Sequence, residues 1–427
     1  MDLLQPSSSG VGASLTELWV KDKYGKLRDV VLGYDNRVRN TIKIAVMRTF
    51  FVAFTLAWLC KGTRGQVPGQ ISDPFKQYTI TAPDGSITAK FIGSGASLTE
   101  LWVKDKYGKL RDVVLGYDNR TDPMHPVFNS IVGRYANRIK NAYLSQESES
   151  KLPRHLNDHD GLATIHGGKV GWDRRNWTFS GSSGSSITFT HLDPGDENFP
   201  GNVTAKVTYH VSHGGKFDIS VVATATEKTP IMTTSHIYWN LDAFQDGNKD
   251  IFGHRLRIAA SRTLEEDSIS IPTGNFTQVK GTALDFRKEM AVGARWNQTV
   301  GYGGCPVCIG YDLPWIFDKS NRNAPDVSLY SPTSGIKQVL FMCMKEAFTD
   351  IEALRLEITT NQPAVQIFSG NWLQIPRKVV HGGPLMIYDQ YSAIAIEPEG
   401  YLDAINNPEW GVDQICKLLS HQLLVAF

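Results

Sequence analysis

The chain has 427 residues, and its 44 lysines and arginines nearly balance its 43 aspartates and glutamates. No basic stripe or polybasic run stands out, which argues against nucleic acid and anionic membrane surfaces as partners. The 38 glycines and the 10% share of aromatic residues are typical of many short strands joined by tight turns. Nothing in the sequence demands an oligomer, and we expect a monomer.

The segment GASLTELWVKDKYGKLRDVVLGYDNR occurs twice without a single difference, at residues 12–37 and 95–120. True structural repeats drift apart because each copy packs against different neighbours. Perfect identity therefore indicates a recent duplication or a faulty gene model. Because the first copy runs into an apolar segment and the second into motifs described below, we interpret residues 1–46 as a redundant extension.

Residues 47–69 have the layout of a secretory signal peptide. An arginine follows Met47, an apolar run extends from Phe50 to Cys60, and small and polar residues come next. The run has about half of the ~20 residues needed to cross a bilayer, so no stable membrane span is predicted. A buried core helix is the alternative interpretation. Asn-x-Ser/Thr acceptor sites fit a secreted glycoprotein and occur at Asn119, Asn176, Asn202, Asn275 and Asn297.

Cys305 and Cys308 form a lone CxxC in GGCPVCIG, with Cys343 and Cys416 elsewhere. A structural zinc site would need two further ligands at suitable spacing, and the chain has no second CxxC. We therefore predict no metal site, and expect ordinary thiols or a disulfide whose pairing the sequence leaves open.

From residue 70 to residue 427 the patterns predict a single all-β domain. SITAKFIG and ASLTELWV alternate between apolar and polar residues, as half-buried strands do. NVTAKVTYHVSHGGKFDISVVATATE predicts a hairpin that turns at SHGG. No amphipathic helix of good length is found. The expected architecture is a large antiparallel β-sandwich with long loops.

Several polar residues share strands with apolar residues of the opposite face. In TTSHIYWNL, His236 and Tyr238 point away from Ile237 and Trp239. Taken singly, such residues are more often surface or hydrogen-bonded groups than catalytic ones. The same pattern singles out Gln366 in QPAVQIF and Glu397 in AIEPEG. His166 in TIHGG is singled out because it directly precedes a glycine turn.

Because proline lacks an N–H group, we expect the strand that carries Glu397 to end at Pro398, which would leave Glu397 at a rim. Period-two geometry places Glu399 on the same side as Glu397, where a second carboxylate can raise the pKa of the first.

In this order, the motifs resemble those of the aldose 1-epimerases. The resemblance runs from about residue 75 to about residue 413 and is carried by GRYANRIKNA, TIHGGKVGWDRRNW, TTSHIYWNL, SISIPTGNF, GTALDFRK, GYDLPW, TTNQPAVQIFSGNWL and AIEPEGYLDAINNPEW. It implies a β-sandwich of the galactose-mutarotase type, a monosaccharide substrate and no cofactor. The family uses the duplicated segment once, upstream of GRYANR, so the second copy belongs to the fold.

The resemblance also implies residue roles. Glu397 matches the general base and His236 the general acid of the family. His166 matches a second active-site histidine, and the sugar-binding positions correspond to Asn137, Arg138, Asp312 and Gln366.

Three features depart from the family pattern. Glu399 occupies a position where relatives often have glutamine, and GYDLPW lacks the histidine that often follows this aspartate. The tail ICKLLSHQLLVAF does not look like the closing strand of the family.

Two other functions are compatible with the same residues. A glycoside hydrolase could use Glu397 and Asp312 as paired carboxylates, although the histidines would then be unexplained. A non-catalytic carbohydrate-binding domain could share the fold. Release of product from a glycoside would identify the hydrolase, and sugar binding without turnover would identify the binding domain.

If residues 47–69 are a signal peptide, the mature protein should begin between about Lys61 and Gln70. N-terminal sequencing of the protein secreted by its native host measures this directly. Recovery of residues 1–46 in the folded product would show instead that the first copy is retained.

Overall fold

The computed structural model describes residues 73–105, 108–119, 127–141, 158, 161–244, 249–319, 324–331, 354–383 and 385–421, and two short strands nearer the N-terminus. The chain divides into a unit of residues Met1–Pro68 and a larger unit of residues Gly69–Phe427. The predicted signal segment, Cys60 and Cys343 lie outside the described residues.

The described residues form β-strands connected by turns and short 3₁₀ helices. The first fourteen strands are β1 (Trp19–Lys21), β2 (Leu27–Asp29), β3 (Tyr78–Thr81), β4 (Ile87–Phe91), β5 (Leu98–Lys104), β6 (Leu110–Asp112), β7 (Ile131–Val132), β8 (Arg138–Lys140), β9 (Ala163–Ile165), β10 (Thr178–Ser182), β11 (Ser186–Asp193), β12 (Val203–Ser212), β13 (Lys216–Pro230) and β14 (Thr234–Ser235).

The later strands are β15 (Tyr238–Trp239), β16 (Arg255–Ile258), β17 (Ala260–Glu266), β18 (Pro272–Gln278), β19 (Met290–Ala291), β20 (Asp312–Phe317), β21 (Val327–Tyr330), β22 (Arg355–Ile358), β23 (Ala364–Phe368), β24 (Ile375–Pro376), β25 (Ile387–Tyr388), β26 (Ile394–Glu399) and β27 (Ile415–His421). The described 3₁₀ helices span Trp172–Arg174, Val292–Gln298, Val379–His381, Ala404–Asn406 and Pro408–Trp410.

Among the described residues, the larger unit has four sheets of four or more strands, with strand orders β3-β4-β5-β6, β10-β11-β12-β13-β27, β19-β16-β21-β22 and β15-β26-β23-β20-β17-β18, and three two-stranded sheets, β7-β14, β8-β9 and β24-β25. Every strand pair in these sheets is antiparallel. The all-β antiparallel prediction is therefore confirmed. The six-stranded sheet carries Asp312, Gln366 and Glu397, three of the residues that the sequence singles out.

The predicted hairpin is formed by β12 and β13. The register places Tyr209 opposite Ile219 and Val211 opposite Phe217, and all four side chains are buried. The Tyr209 ring also stacks on Phe91 of β4, with ring centroids 4.4 Å apart. The alternating apolar residues of two sheets thus meet in one core, as the sandwich prediction requires.

The two copies of the repeated segment form the same local hairpin. In the first, β1 pairs with β2 so that Trp19 lies opposite Asp29. In the second, β5 pairs with β6 so that Trp102 lies opposite Asp112. The second hairpin continues through β4 and β3 into a four-stranded sheet. Identical sequence therefore gives identical local pairing.

One expectation about a strand end is corrected. β26 does not end before Pro398, because it continues to Glu399 and places Pro398 opposite Val365 of β23. Glu397 is consequently 2% exposed and not at a rim. The C-terminal tail, which does not resemble the family's closing strand, nevertheless forms β27 and pairs with β13.

A buried ion pair anchors the GRYANR loop. Arg134 is 1% exposed, and its Nε and Nη2 atoms donate to the two carboxylate oxygens of Asp193 at 2.9 and 2.7 Å. Trp172 Nε1 donates to the same carboxylate at 2.7 Å. Burial opposes ionisation of Asp193, but the hydrogen bonds from Arg134 and Trp172 lower its pKa overall.

The turn after β9 packs closely against this loop. Gly167 has a φ of +82°, and a Cβ atom at this position would lie 2.1 Å from the Gly133 carbonyl oxygen. Only glycine accommodates both the positive φ and the close approach. The loop and the turn are thereby fixed against each other.

Replacing Arg134 with alanine should lower the free energy of unfolding by about 3–5 kcal/mol, because it leaves the Asp193 carboxylate buried without its ionic partner. Urea unfolding measures the change. The matched control is Arg255→Ala, which removes an exposed pair with Glu289 and should cost less than about 1 kcal/mol. Equal losses for the two variants would contradict the anchoring role.

Candidate active site

Polar side chains of the six-stranded sheet meet on one face. The register places Gln366 of β23 directly opposite Glu397 of β26. On its other side, β23 pairs with β20, where Gln366 Nε2 donates to Asp312 Oδ1 at 2.8 Å. Antiparallel pairing thus joins three polar residues that are far apart in sequence.

A histidine and a glutamate form the centre of this face. His236 Nε2 lies 3.3 Å from Glu397 Oε2, and the two residues are 5% and 2% exposed. The His236 ring stacks on Tyr238, with centroids 4.9 Å apart. The His166 ring meets the His236 ring edge-on, with centroids 5.6 Å apart. Both predicted histidines therefore border one buried site.

The GRYANR loop closes the site from a second side. Asn137 donates its backbone N–H to His166 Nδ1 at 3.2 Å and its side-chain Nδ2 to Glu399 Oε1 at 3.1 Å. Since His166 Nδ1 accepts this bond, a neutral His166 ring carries its proton on Nε2. That N–H is a potential donor to a ligand.

Arg138 is a cation of this cluster. Its Nε donates to Asp158 Oδ2 at 2.7 Å. Burial alone would lower the pKa of Arg138, but the carboxylates of Asp312 and Asp158 raise it overall. Conversely, burial raises the pKa of Asp312 even though Arg138 opposes the shift. Arg138 and Asp312 therefore interact electrostatically within the site.

Burial dominates the ionisation of the central groups. It raises the pKa of Glu397 well above the ordinary value for glutamate, and the charges of Glu399 and Asp312 add to the effect. Burial likewise raises the pKa of Glu399 to about 8 and lowers that of His236 to about 3. In low dielectric surroundings each group resists its charged form.

All seven residues singled out from the sequence lie in this cluster. They are linked through the contacts above: Asn137, Arg138, His166, His236, Asp312, Gln366 and Glu397. The predicted proximity of Glu399 to Glu397 is also found, because Glu399 raises the pKa of Glu397. Their chemical roles stay predictions.

Two neighbours were not assigned a role from the sequence. Tyr238 lies under His236, and a strand pattern that places both on one face could have identified it. Asp158 holds Arg138, but it lies outside the motifs that carry the family resemblance and gives no signal of its own.

Metal and membrane features were also sought in the described part of the chain. It contains no group of three or more histidine, cysteine, aspartate or glutamate residues placed to hold a metal ion. Nor does any helix described there have the length and apolar character to cross a membrane. Cys305 and Cys308 form a disulfide.

Comparison with known proteins identifies the family. The family model described as "Aldose 1-epimerase" matches residues 76–417. A probable aldose 1-epimerase of Arthroderma benhamiae is 40% identical over 380 residues, covering 81% of this chain and 83% of that protein. The galactose mutarotase of Rattus norvegicus is 30% identical over 328 residues, covering 76% of this chain and 85% of that protein.

A solved structure agrees with these matches. The crystal structure of the GalM/aldose epimerase homologue of C. elegans has a TM-score of 0.66 and 26% identity, and covers 80% of this chain and 95% of that one. The β-sandwich is therefore of the galactose-mutarotase type. The family model matches most of the chain, and the predicted motifs together build one polar cluster. The chain therefore belongs to the aldose 1-epimerase family.

Proposed function

We propose that Glu397 and His236 interconvert the α and β anomers of a free aldose, such as glucose or galactose, by opening and reclosing the sugar ring. The observation that carries the proposal is the 3.3 Å contact between a buried imidazole and a buried carboxyl. Opening a cyclic hemiacetal needs one proton acceptor and one proton donor, and this pair supplies both.

The His236–Glu397 pair holds one proton in total before and after each step, so the reaction has no net gain or loss of protons. Glu397 takes the proton of the C1 hydroxyl while protonated His236 delivers a proton to the ring oxygen, and the bond between C1 and the ring oxygen breaks. The resulting aldehyde rotates about the C1–C2 bond. On reclosure Glu397 returns its proton to the carbonyl oxygen, His236 recovers its proton from the attacking hydroxyl, and the opposite anomer forms.

The shifted pKa values favour both transfers. A carboxylate whose pKa is raised by burial is a stronger base, and an imidazolium whose pKa is lowered is a stronger acid. The cost is that burial disfavours the doubly charged form of the pair, in which Glu397 is ionised and His236 protonated. Their mutual attraction at 3.3 Å offsets part of that cost.

The surrounding residues are suited to binding sugar hydroxyls. Glu399 Oε2 and Gln366 Oε1 are buried and have no hydrogen-bond partner among the described residues, so a substrate hydroxyl that donates to either oxygen would satisfy it. Arg138 and the His166 Nε2–H group supply donors, and Asp312 supplies an acceptor. Together with Asn137, these residues form the proposed sugar-binding set.

The alternatives receive less support. The matching family model and the curated relatives carry epimerase and mutarotase names, which favours an isomerase over a hydrolase or a non-catalytic domain. The galactose mutarotase relatives make galactose a candidate substrate. Polarimetry with freshly dissolved α-glucose, α-galactose and α-xylose identifies the preferred sugar, and a rate no faster than buffer with all of them would favour the binding domain.

Secretion and a monomeric state complete the proposal. The signal-like residues 47–69 lie outside the described structure, so secretion rests on their sequence. The five asparagines of the acceptor sites are all exposed, which is compatible with glycosylation.

Glu397→Gln should reduce kcat by at least about 100-fold, because it preserves size and polarity but removes the base. His236→Asn should have a similar effect by removing the acid. Sugar binding should largely survive in both variants. Polarimetry measures turnover, and titration calorimetry measures binding.

Glu227→Gln is the matched control, since Glu227 is exposed on β13 and outside the site. It should leave kcat unchanged. If folded Glu397→Gln protein kept near-wild-type mutarotation, the base would not be Glu397, and Glu399 would be the next candidate.

The pH profile should respond to Glu399→Gln. The reactive His236–Glu397 pair holds one proton and loses it as pH rises through the raised pKa of the pair. Glu399, whose own pKa is about 8, is ionised in that alkaline range and helps to raise the pKa of Glu397. Removing its charge should move the alkaline limb of kcat/KM to lower pH.

This shift is measured from kcat/KM between pH 5 and pH 10, after subtraction of the buffer-catalysed rate at each pH. Glu227→Gln should retain the wild-type limb. A limb that moves to higher pH in Glu399→Gln would contradict the assigned electrostatic interaction.

A further inference from the structure

The loop that leads into β20 carries a disulfide between Cys305 and Cys308. The bond encloses two residues, Pro306 and Val307. Cross-linking removes conformational freedom from the segment that it closes, and the proline ring fixes one of the enclosed backbone angles. Inside the same turn, the Cys308 N–H donates to the Cys305 carbonyl at 3.1 Å. The turn is therefore a tightly constrained unit.

The disulfide turn is continuous with the backbone that contacts Asp312. Gly304 directly precedes Cys305 and has a φ of +86°, and a Cβ atom added to Gly304 would lie 2.7 Å from Asp312 Oδ2. The Asp312 N–H donates to the Tyr302 carbonyl at 2.7 Å, so the loop returns to the residue that it covers. Asp312 Oδ1 accepts from Gln366 at 2.8 Å. The carboxylate is thus held between a strand neighbour on one side and the loop backbone on the other.

Further contacts tie the loop backbone to Cys308. The Gly301 N–H donates to the Cys308 carbonyl at 2.9 Å. A Cβ atom added to Gly303 would lie 3.0 Å from Cys308 Cβ, so the two residues pack closely. Asn371 Nδ2, just after β23, donates to the Gly303 carbonyl at 3.0 Å. The positions of Gly303 and Gly304 therefore depend on where the disulfide holds Cys308.

The disulfide is accessible from solvent. Both cysteines are half-buried, and the enclosed Pro306 and Val307 are exposed, Val307 by 81%. A small dithiol can therefore reach the sulfur atoms. Because an exposed turn has few buried apolar contacts, it opens at a low free-energy cost once its cross-link is broken.

We propose that the Cys305–Cys308 disulfide positions the Asp312 carboxylate for sugar binding, so that reduction of this bond by a dithiol weakens substrate binding. The inference rests on the proposed function, because Asp312 must bind a sugar hydroxyl. The catalytic step should be largely retained, since the contact between His236 and Glu397 involves neither this loop nor β20.

The reduction is an ordinary thiol–disulfide exchange. One thiolate of the dithiol attacks a cysteine sulfur, breaks the bond between the two cysteines and forms a mixed disulfide. The second thiol of the reductant then displaces this cysteine and closes the reductant into a cyclic disulfide. Two electrons and two protons pass from the dithiol to the protein, which is left with two cysteine thiols.

The test compares untreated protein, protein reduced with dithiothreitol, and the double variant Cys305→Ser/Cys308→Ser. Maleimide labelling and peptide mass spectrometry measure the free thiols at both positions. Calorimetry with galactose and glucose at anomeric equilibrium measures Kd, and polarimetry measures KM and kcat. In the reduced protein and in the double variant we expect Kd and KM to rise about tenfold, the effect of one lost hydrogen bond, and kcat to change by less than about threefold.

Reversibility and specificity are tested on the same proteins. Reoxidation of the reduced protein with oxidised glutathione should restore Kd. The double variant should not respond to dithiothreitol, and a response would assign the effect to another cysteine. In an Asp312→Ala background, reduction should cause no further rise in Kd, because no carboxylate remains to be positioned.

Gly304→Ala tests the contact without changing the disulfide. Its Cβ would displace the Asp312 carboxylate, so Kd should rise by about as much as on reduction, roughly tenfold. The matched control is Gly281→Ala. Gly281 has a similar φ of +79°, and a Cβ there would meet no atom within 4 Å, so the variant introduces the same backbone strain without the contact. It should leave Kd unchanged.

The outcomes separate this proposal from the proposed function. An unchanged Kd in both the reduced protein and the double variant would overturn the positioning role. Free thiols at both positions in the untreated protein would overturn it too, as would a fall in kcat at constant KM, which indicates a general loss of folded protein. Sugar binding without turnover in the untreated protein would instead refute the proposed function, and Kd would still report on the disulfide.

Discussion

The bidentate pair between Arg134 and Asp193 is the interaction on which the geometry of the site depends. Asp193 ends strand β11 and binds both Arg134 and Trp172, so a single carboxylate anchors two loops to the sandwich. One loop carries Asn137 and leads into β8, which begins at Arg138. The other belongs to the segment that begins with the His166 turn. Residues 133–137 and 167–171 lie outside the strands, so buried hydrogen bonds fix them where no strand ladder does.

The sheet contributes the complementary half of the site. Antiparallel register fixes Gln366 beside Glu397 and brings Asp312 within hydrogen-bond distance of Gln366. A slip of one residue in β23 or β26 would move these side chains to the opposite face. The apolar neighbours on that face are buried in the core and resist such a slip. Core packing thus determines the position of the chemical groups.

The same burial determines their chemistry. Several carboxyl groups share the site with the Arg138 guanidinium, and the imidazoles resist protonation because they are desolvated. In water near neutral pH, a glutamate would be ionised and a histidine would be partly protonated. Here the preference is for neutral forms, which makes each group a more effective proton donor or acceptor when it is charged. The desolvation that disfavours the charged forms therefore also makes those forms more reactive.

The acidic character of the site continues past Asp312. Glu266 and its neighbours extend a carboxyl-rich, hydroxyl-bearing wall into a cavity between the end of β17 and the loop before β20. Gly304 leaves room for the Asp312 carboxylate, because a Cβ at that position would lie 2.7 Å from Asp312 Oδ2. Asp312 therefore belongs both to the proposed sugar-binding set and to the lining of this cavity.

Much of this organisation follows from local patterns that the sequence contains by itself. Alternation predicted the β12–β13 hairpin, since one face of each strand must be apolar to be buried. The repeated segment shows the same rule, because β1–β2 and β5–β6 adopt one register from one sequence. The ordered motifs also identified the seven residues that meet in the site. These properties depend on residues that are neighbours along the chain or that belong to one continuous motif.

Other properties were decided only by tertiary structure. Proline at position 398 predicted the end of a strand, yet pairing with β23 carries β26 through to Glu399. The tail looked unlike a closing strand, yet β13 offers an edge with which it pairs. The partnership of Arg138 with Asp158, the direct contact of His236 with Glu397 and the cavity beside Asp312 each join distant segments. No local pattern encodes them, because they arise only when separate strands and loops are brought together around one core.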